Sequence, residues 1–191
     1  MTTLSAPFGL RPAFHPSGLD RAQALAGGIA TGHTTNIFKG QPITYVQATG
    51  TIVEVTTTGA FSGAFAGVEW TDTTGRRRVS NYWPANTAYQ VGSCIAYFYN
   101  DEKIVYEIQA DATVAQTAIG NEANFSNLGA GNTYVGLSQA TLSASLVGTT
   151  VQGQVRIVDI APYPDNAWGD NFPILRVTVG FSQFVAPTVA I

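Results

Sequence analysis

Charge is the first thing this chain is short of. Asp, Glu, Lys and Arg make up only 11% of its 191 residues, against roughly 25% in an average soluble domain. Nine Lys and Arg stand against twelve Asp and Glu, a net charge of −3. Nucleic-acid binding draws most of its affinity from a basic surplus, so nucleic acid is not among the expected partners. Cysteine is scarcer still. The single one, Cys94, excludes an internal disulfide framework and a cysteine-rich zinc site. Its apolar neighbours mark it as a buried, inert thiol. The two histidines, His15 and His33, lie among prolines and glycines with no ligand spacing around them, so no metal is expected. There is no G-x-S-x-G elbow, no phosphate-binding loop and no Cys/His pair with a third member, so neither a catalytic residue nor a cofactor is expected. No run reaches the roughly 18–20 apolar residues of a membrane span, which removes a membrane partner from the expectation. The first residues lack the basic-then-apolar layout of a secretory leader, so the expected site of synthesis is the cytoplasm.

What is present is apolar and β-forming. Hydrophobic residues make up 45% of the chain, and its length suits one domain able to bury a core without disulfides. A weakly charged surface of this kind is often covered in part by a partner. Residues 1–35 differ from the rest. Pro7, Pro12 and Pro16 alternate with Phe8, Leu10 and Phe14, and Leu19 follows. Proline at that spacing imposes an extended path. A segment carrying so many large apolar groups must pack along its own domain or onto a neighbour. It reads as an extended N-terminal arm, with one short helix at "GLDRAQAL", ahead of a β-rich body at residues 36–191.

In the body, short runs rich in β-branched and aromatic residues alternate with turn formers. They are 36–46, 51–55, 63–70, 76–83, 92–100, 103–110, 131–137, 153–161 and 174–184. Strands at this spacing predict an all-β fold, a single β-sandwich or a partly closed barrel. In "QVRIVDIA", Val155, Ile157, Asp159 and Ala161 share one face and Arg156, Val158 and Ile160 the other. Both faces are mostly apolar, as in a strand covered on both sides over part of its length. "DATVAQTAIGN" (111–121) is the best helix candidate, with Asp111 at its N-cap and Gly120 past its end. Residues 138–146 read as a second turn of helix or as a loop.

Three places invite a functional reading. In "TDTTGRRRVSNYWPANT" (71–87), Arg76, Arg77 and Arg78 follow a turn and precede Tyr82 and Trp83. In a strand Arg76 and Arg78 point one way and Arg77 the other, so the three cannot form one phosphate-facing stripe. They are either a solvated hairpin exit that blunts a sheet edge or part of a protein-docking edge, since Arg, Tyr and Trp are enriched at interface hot spots. "APYPDNAWGDNFP" (161–173) brings Asp165 and Asp170 near Trp168. It lacks calcium-loop ligand positions and reads as a surface loop pinned by its tryptophan. Glu107, inside an apolar strand, is expected to pair with an arginine.

Taken in order, "APFGLRPAFHPSG", "FAGVEWTDTTGRRRVSNYWPANT", "YEIQAD" and "PDNAWGD" resemble the decoration, or cement, proteins of tailed bacteriophages. The likeness runs from residue 6 to the last strands. It implies a non-enzymatic virion protein on the outer head surface, made in the host cytoplasm, that binds the major capsid protein and bridges neighbouring capsomers. It also implies a homo-oligomer, a trimer first and a dimer second. Under it, Phe8, Leu10, Arg11, Phe14 and His15 form an arm clamp, and Arg76–Arg78 with Tyr82 and Trp83 form a docking edge. Deleting residues 1–16 is then expected to abolish binding and leave the β fold intact. The alternative is a virion-displayed adhesion module, with the Trp168 loop lining a shallow glycan site.

Overall fold

The computed structural model describes residues 4–18 and 25–185, and these are almost entirely β. In chain order the strands begin with β1 (Arg11–Phe14), β2 (Leu25–Gly27), β3 (Pro42–Val46), β4 (Thr51–Glu54) and β5 (Gly63–Thr71). Next come β6 (Arg77–Ser80), β7 (Ile95–Tyr99), β8 (Val105–Gln109), β9 (Glu122–Ser126) and β10 (Gly131–Asn132). Then follow β11 (Leu137–Ser138), β12 (Thr141–Leu146), β13 (Val155–Ile160) and β14 (Ile174–Val179). One sheet runs β1-β8-β14-β13-β9-β12. The other runs β2-β7-β5-β3-β4 with β6 added along β5, and β10 and β11 form a separate hairpin. The two large sheets make a sandwich-like arrangement, and neither closes into a barrel. Each does curl. A parallel bridge between Ala110 and Leu142 draws β12 towards the end of β8, and another between Gly28 and Thr51 draws the end of β2 towards β4.

This curling gives the molecule two cores. The larger gathers Tyr106, Ile108, Phe125, Ile157, Leu175 and Val177 of the first sheet around Phe61. The smaller lies within the second sheet, where Ile43, Ile52, Phe65, Val68 and Phe98 pack with Trp70 and Trp83. Burial of each such side chain contributes about 1.5–3 kcal/mol. The two layers are joined where Phe61 meets Phe125 edge to face, at 5.1 Å between ring centroids.

The stretch read as an arm lies along the body. β1 pairs antiparallel with β8, placing Arg11 opposite Glu107, and Leu10 is fully buried in the larger core. Gly9 makes this possible. It has φ 76°, and a Cβ there would lie 2.5 Å from the Gly40 carbonyl oxygen, which accepts a 2.7 Å hydrogen bond from the Leu10 N–H. The expectation that residues 1–16 can be deleted with the fold intact is therefore corrected, because the deletion empties a leucine-sized site and bares an edge of β8. The helix expected at 18–25 falls largely outside the described residues.

Other expectations change too. Residues 111–121 hold a single 3-10 turn, Gln116–Ala118. Asp111 is not its cap: its carboxylate accepts hydrogen bonds from the Ser126 hydroxyl at 2.8 Å and the Ala144 N–H at 2.8 Å. Residues 138–146 are neither helix nor loop, since Thr141–Leu146 pairs with β9 as a strand. The run 131–137 bends back on itself as the β10–β11 hairpin. β13 is covered on one face only. Val155 and Ile157 are buried while Arg156, Val158 and Asp159 are exposed, and a register shift falls between Ile157 and Asp159.

Candidate interaction surface

The arginine run occupies the β5–β6 hairpin. Asp72 sets the turn, its Oδ1 accepting from the Thr74 hydroxyl at 2.6 Å, the Thr74 N–H at 2.9 Å and the Arg76 N–H at 3.0 Å. Its Oδ2 takes the Arg78 Nε at 2.9 Å. These donors, the Thr74 hydroxyl foremost, hold the Asp72 carboxyl well below the usual carboxylate range. On the opposite face Arg77 pairs with Glu69, which also accepts from the Tyr97 hydroxyl at 3.1 Å, and the Arg77 bond holds Glu69 low. The two arginines thus diverge, as a period of two requires. Both are neutralised within their own hairpin, and Arg76 has no ion pair among the described residues.

The aromatic pair behind the run splits. Trp83 is fully buried, set edge-on to Trp70 at 5.3 Å and Tyr89 at 5.6 Å. It offers no surface to a partner, which corrects its place at a docking edge. A tryptophan bounded by an Asn, a Tyr and a Pro looks exposed in sequence, yet its backbone bridges to Ile37 and turns the ring inward. Tyr82 is half-buried and stacks on Phe38 at 5.4 Å.

The arm residues gather on the outer face of β8. Glu107 is 4% exposed. Its Oε2 accepts from Arg11 Nη2 at 2.7 Å and the Tyr163 hydroxyl at 2.6 Å, and Oε1 faces Arg176 Nε at 3.5 Å. Burial would raise this carboxyl, but the Tyr163 and Arg11 bonds and the two guanidinium charges outweigh burial and hold it below its ordinary value. Two residues on, the Gln109 amide accepts from the Ala6 N–H at 2.8 Å and donates to the carbonyls of Leu4 at 2.9 Å and Phe172 at 3.0 Å. His15, 7% exposed, accepts at Nδ1 from the Ser17 N–H at 3.1 Å, so its Nε2 carries the proton facing Asp101 at 3.0 Å. Leu10 and His15 are therefore spent on the body. Phe14, 54% exposed, is not. The Arg11 guanidinium lies over the half-buried Phe8 ring at 4.5 Å.

Beside Phe8 is a cavity of about 230 Å³, with Leu10 and Pro12 from the arm facing Phe65, Tyr99 and Leu137 of the body. Arg11, Lys39 and Gly40 complete its lining. A shallower cleft of about 150 Å³ is lined by Ser80, Asn81 and Tyr82 on one side and Thr133–Gly136 on the other. The β10–β11 hairpin contributes to both through Leu137, Tyr134 and Val135. Its base is fixed by a two-way backbone bond with Lys39, Lys39 N–H to Gly136 O and Ser138 N–H to Lys39 O, each 2.9 Å. Tyr134 at its tip is 99% exposed. Sequence reasoning missed this element because the run looked like one strand; the available signal was Asn132 and Gly136 flanking Thr-Tyr-Val. No family model, curated protein or solved structure matches this chain.

The hairpin thus touches expected interface residues on two sides, Phe8 and Arg11 of the arm through the cavity and Tyr82 through the cleft, while Arg76–Arg78 line neither. The loop at 161–173 is pinned as expected, Trp168 packing against the larger core. Asn166 bonds both the N–H and the carbonyl of Ile174, at 2.9 and 2.8 Å. Glu107 finds its arginines. His33 faces Glu54 at 3.1 Å, and Cys94 is half-buried, with burial raising its thiol pKa. Among the described residues no cluster of three or more His, Cys, Asp or Glu is placed to hold a metal.

Proposed function

We propose that this protein is a structural component of a phage virion that binds the outside of the capsid lattice and bridges neighbouring capsomers, with the major capsid protein as partner. The ordered pieces resembling head decoration proteins support this reading. The observation that carries it is the β10–β11 hairpin, where Tyr134 (99% exposed), Val135 (53%) and Leu137 (37%) stand out beside Tyr82. Exposed apolar residues scattered singly mean little, but a contiguous group on a firmly anchored hairpin suits a protein contact. An interface of about 1,600 Å² binds tightly without special chemistry, and repetition over a lattice adds avidity. The protein is expected to act as a homo-oligomer, a trimer first.

The test is co-sedimentation of the purified protein with matching capsid shells that lack it, both compact and expanded. Saturable binding at a fixed ratio to the capsid subunit is the expected result. Replacing Tyr134 with Ala is expected to weaken binding about 30-fold, the scale of an aromatic hot spot of about 2 kcal/mol. Tyr134 makes no core contact, so this variant separates binding from folding where an arm deletion does not. No binding to either shell would defeat the proposal.

A further inference from the structure

We propose that the cavity between the arm and the body is an anchor site for one apolar side chain carried next to a carboxylate on the bound partner. The size argues for a single side chain. About 150 Å³ of apolar space holds a benzene ring, and pockets for drug-sized ligands run from about 300 Å³ upward. At about 230 Å³ this cavity lies between those limits, enough for a phenylalanine or leucine. Its walls are apolar: Phe8, Leu10 and Pro12 on one side, Phe65, Tyr99 and Leu137 on the other.

The charge argues for the carboxylate. The two ionic residues of the lining, Arg11 and Lys39, are both cationic in a chain of net charge −3. Arg11 is already paired with Glu107, whereas Lys39 has no ion pair among the described residues. The two-way backbone bond to the hairpin holds Lys39 beside Leu137. An apolar group entering here meets a desolvating wall first and an unpaired ammonium next. A well-packed centre with a polar rim is the arrangement of an interface hot spot.

This inference rests on the shell-binding reading for the partner's identity, and the experiment keeps the two apart. First, 3-phenylpropanoate and its neutral amide are titrated into the full chain while the backbone NMR resonances of Gly40, Tyr99 and Leu137 are followed. The carboxylate is expected to shift them saturably and to bind about threefold to fivefold tighter than the amide, the scale of a partly exposed charge contact. Lys39→Gln and added salt are expected to erase that preference. Leu137→Trp, which fills the cavity from an exposed position, is expected to abolish binding of both probes. Resonances unmoved by either probe, or equal affinity for acid and amide, would overturn the site. Second, the Leu137→Trp protein is sedimented with shells. Because Leu137 also belongs to the hairpin contact, reduced binding supports the anchor when Lys39→Gln, at the cavity and outside that contact, lowers shell binding as well. Undiminished binding overturns the assignment to a protein side chain and points to a small free amphiphile. Failure of the unaltered protein to bind shells, with the probe still taken up, defeats the capsid reading and leaves the cavity's ligand chemistry standing.

Discussion

Replacing Glu107 with Gln tests whether the arm belongs to the folded body. Glu107 sits on β8 directly opposite Arg11 of β1 and Arg176 of β14, so one carboxylate joins three strands and, through Tyr163, the 161–173 loop. Glutamine keeps the shape and one acceptor but removes the charge. Breaking a fully buried pair costs about 3–5 kcal/mol, but the Arg11 and Arg176 side chains are 49% and 35% exposed and water re-solvates both. The hydrogen bonds to a charged acceptor are then the better guide, and the expected loss at pH 7 is about 2 kcal/mol. For a chain of this length that corresponds to a fall in melting temperature of about 4–8 °C.

The pH dependence makes the test specific. Folding lowers the Glu107 pKa, so its contribution is fully present above the unfolded value of about 4.3 and is lost as pH falls through the folded value. Urea unfolding of both proteins should therefore show a gap at neutral pH that closes progressively below about pH 4. Hydrogen exchange of the Leu10 N–H, which is bonded to the Gly40 carbonyl, should be faster in the variant at pH 7, because the arm opens more often. A gap that stays constant down to pH 3, or no gap at pH 7, would refute the idea that the ion pairs latch the arm.

Gln154 is wholly buried. Its amide accepts from the Phe125 N–H at 2.9 Å and donates to the carbonyls of Thr56 at 2.8 Å and Gly59 at 2.7 Å. Gln154→Ala removes three bonds of about 1 kcal/mol net each and leaves the buried Phe125 N–H unpaired, so urea unfolding should register a loss of about 3–5 kcal/mol. Arg77→Ala should leave stability nearly unchanged, since the pair with Glu69 lies on an exposed hairpin face and salt screens it. A larger loss in thermal melts would mean the arginine run holds the fold.

The strands that the sequence announced are those whose side chains decide their own conformation. "GAFAGVEW", "KIVYEIQA" and "ILRVTVGF" each carry three or more β-branched or aromatic residues, and they became β5, β8 and β14. β9 and β12 escaped notice because "EANFS" and "TLSASL" carry Ala, Ser and Asn, which favour no strand by themselves. They are strands because neighbours pair with them, and context of that kind overrides a weak propensity. The arm was legible as extended. Its docking depends on two glycines approaching each other from opposite ends of the first 40 residues, and no local pattern reports that. Trp83 failed for the same reason: a remote bridge to Ile37 decides which way its ring faces.

The polar cross-links were the least legible and explain most of how the sheets end. Four side-chain amides each engage both a backbone N–H and a backbone carbonyl, as a neighbouring strand would. Gln183 takes the N–H and carbonyl of Tyr45, each at 2.8 Å, Asn166 those of Ile174, Gln109 the arm, and Gln154 the link between β9 and the 56–59 turn. An amide suits this role because it carries donor and acceptor together, and an unpaired strand edge invites unwanted pairing. In sequence these are polar residues without periodicity; in space they close edges without adding charge. That accounts for how a chain with so few ionic residues keeps its ends satisfied. It also accounts for where the remaining charges go: Glu107, Glu69, Asp72 and Glu122 are all committed to arginines of their own sheets. With edges closed by amides and these four carboxylates paired internally, the exposed side chains at the hairpin's tip are the apolar Tyr134 and Val135, which are what the tip offers a partner. Binding to shells through it should therefore resist salt, and a steep loss of binding between low and high salt would place the contact on Arg76–Arg78 instead.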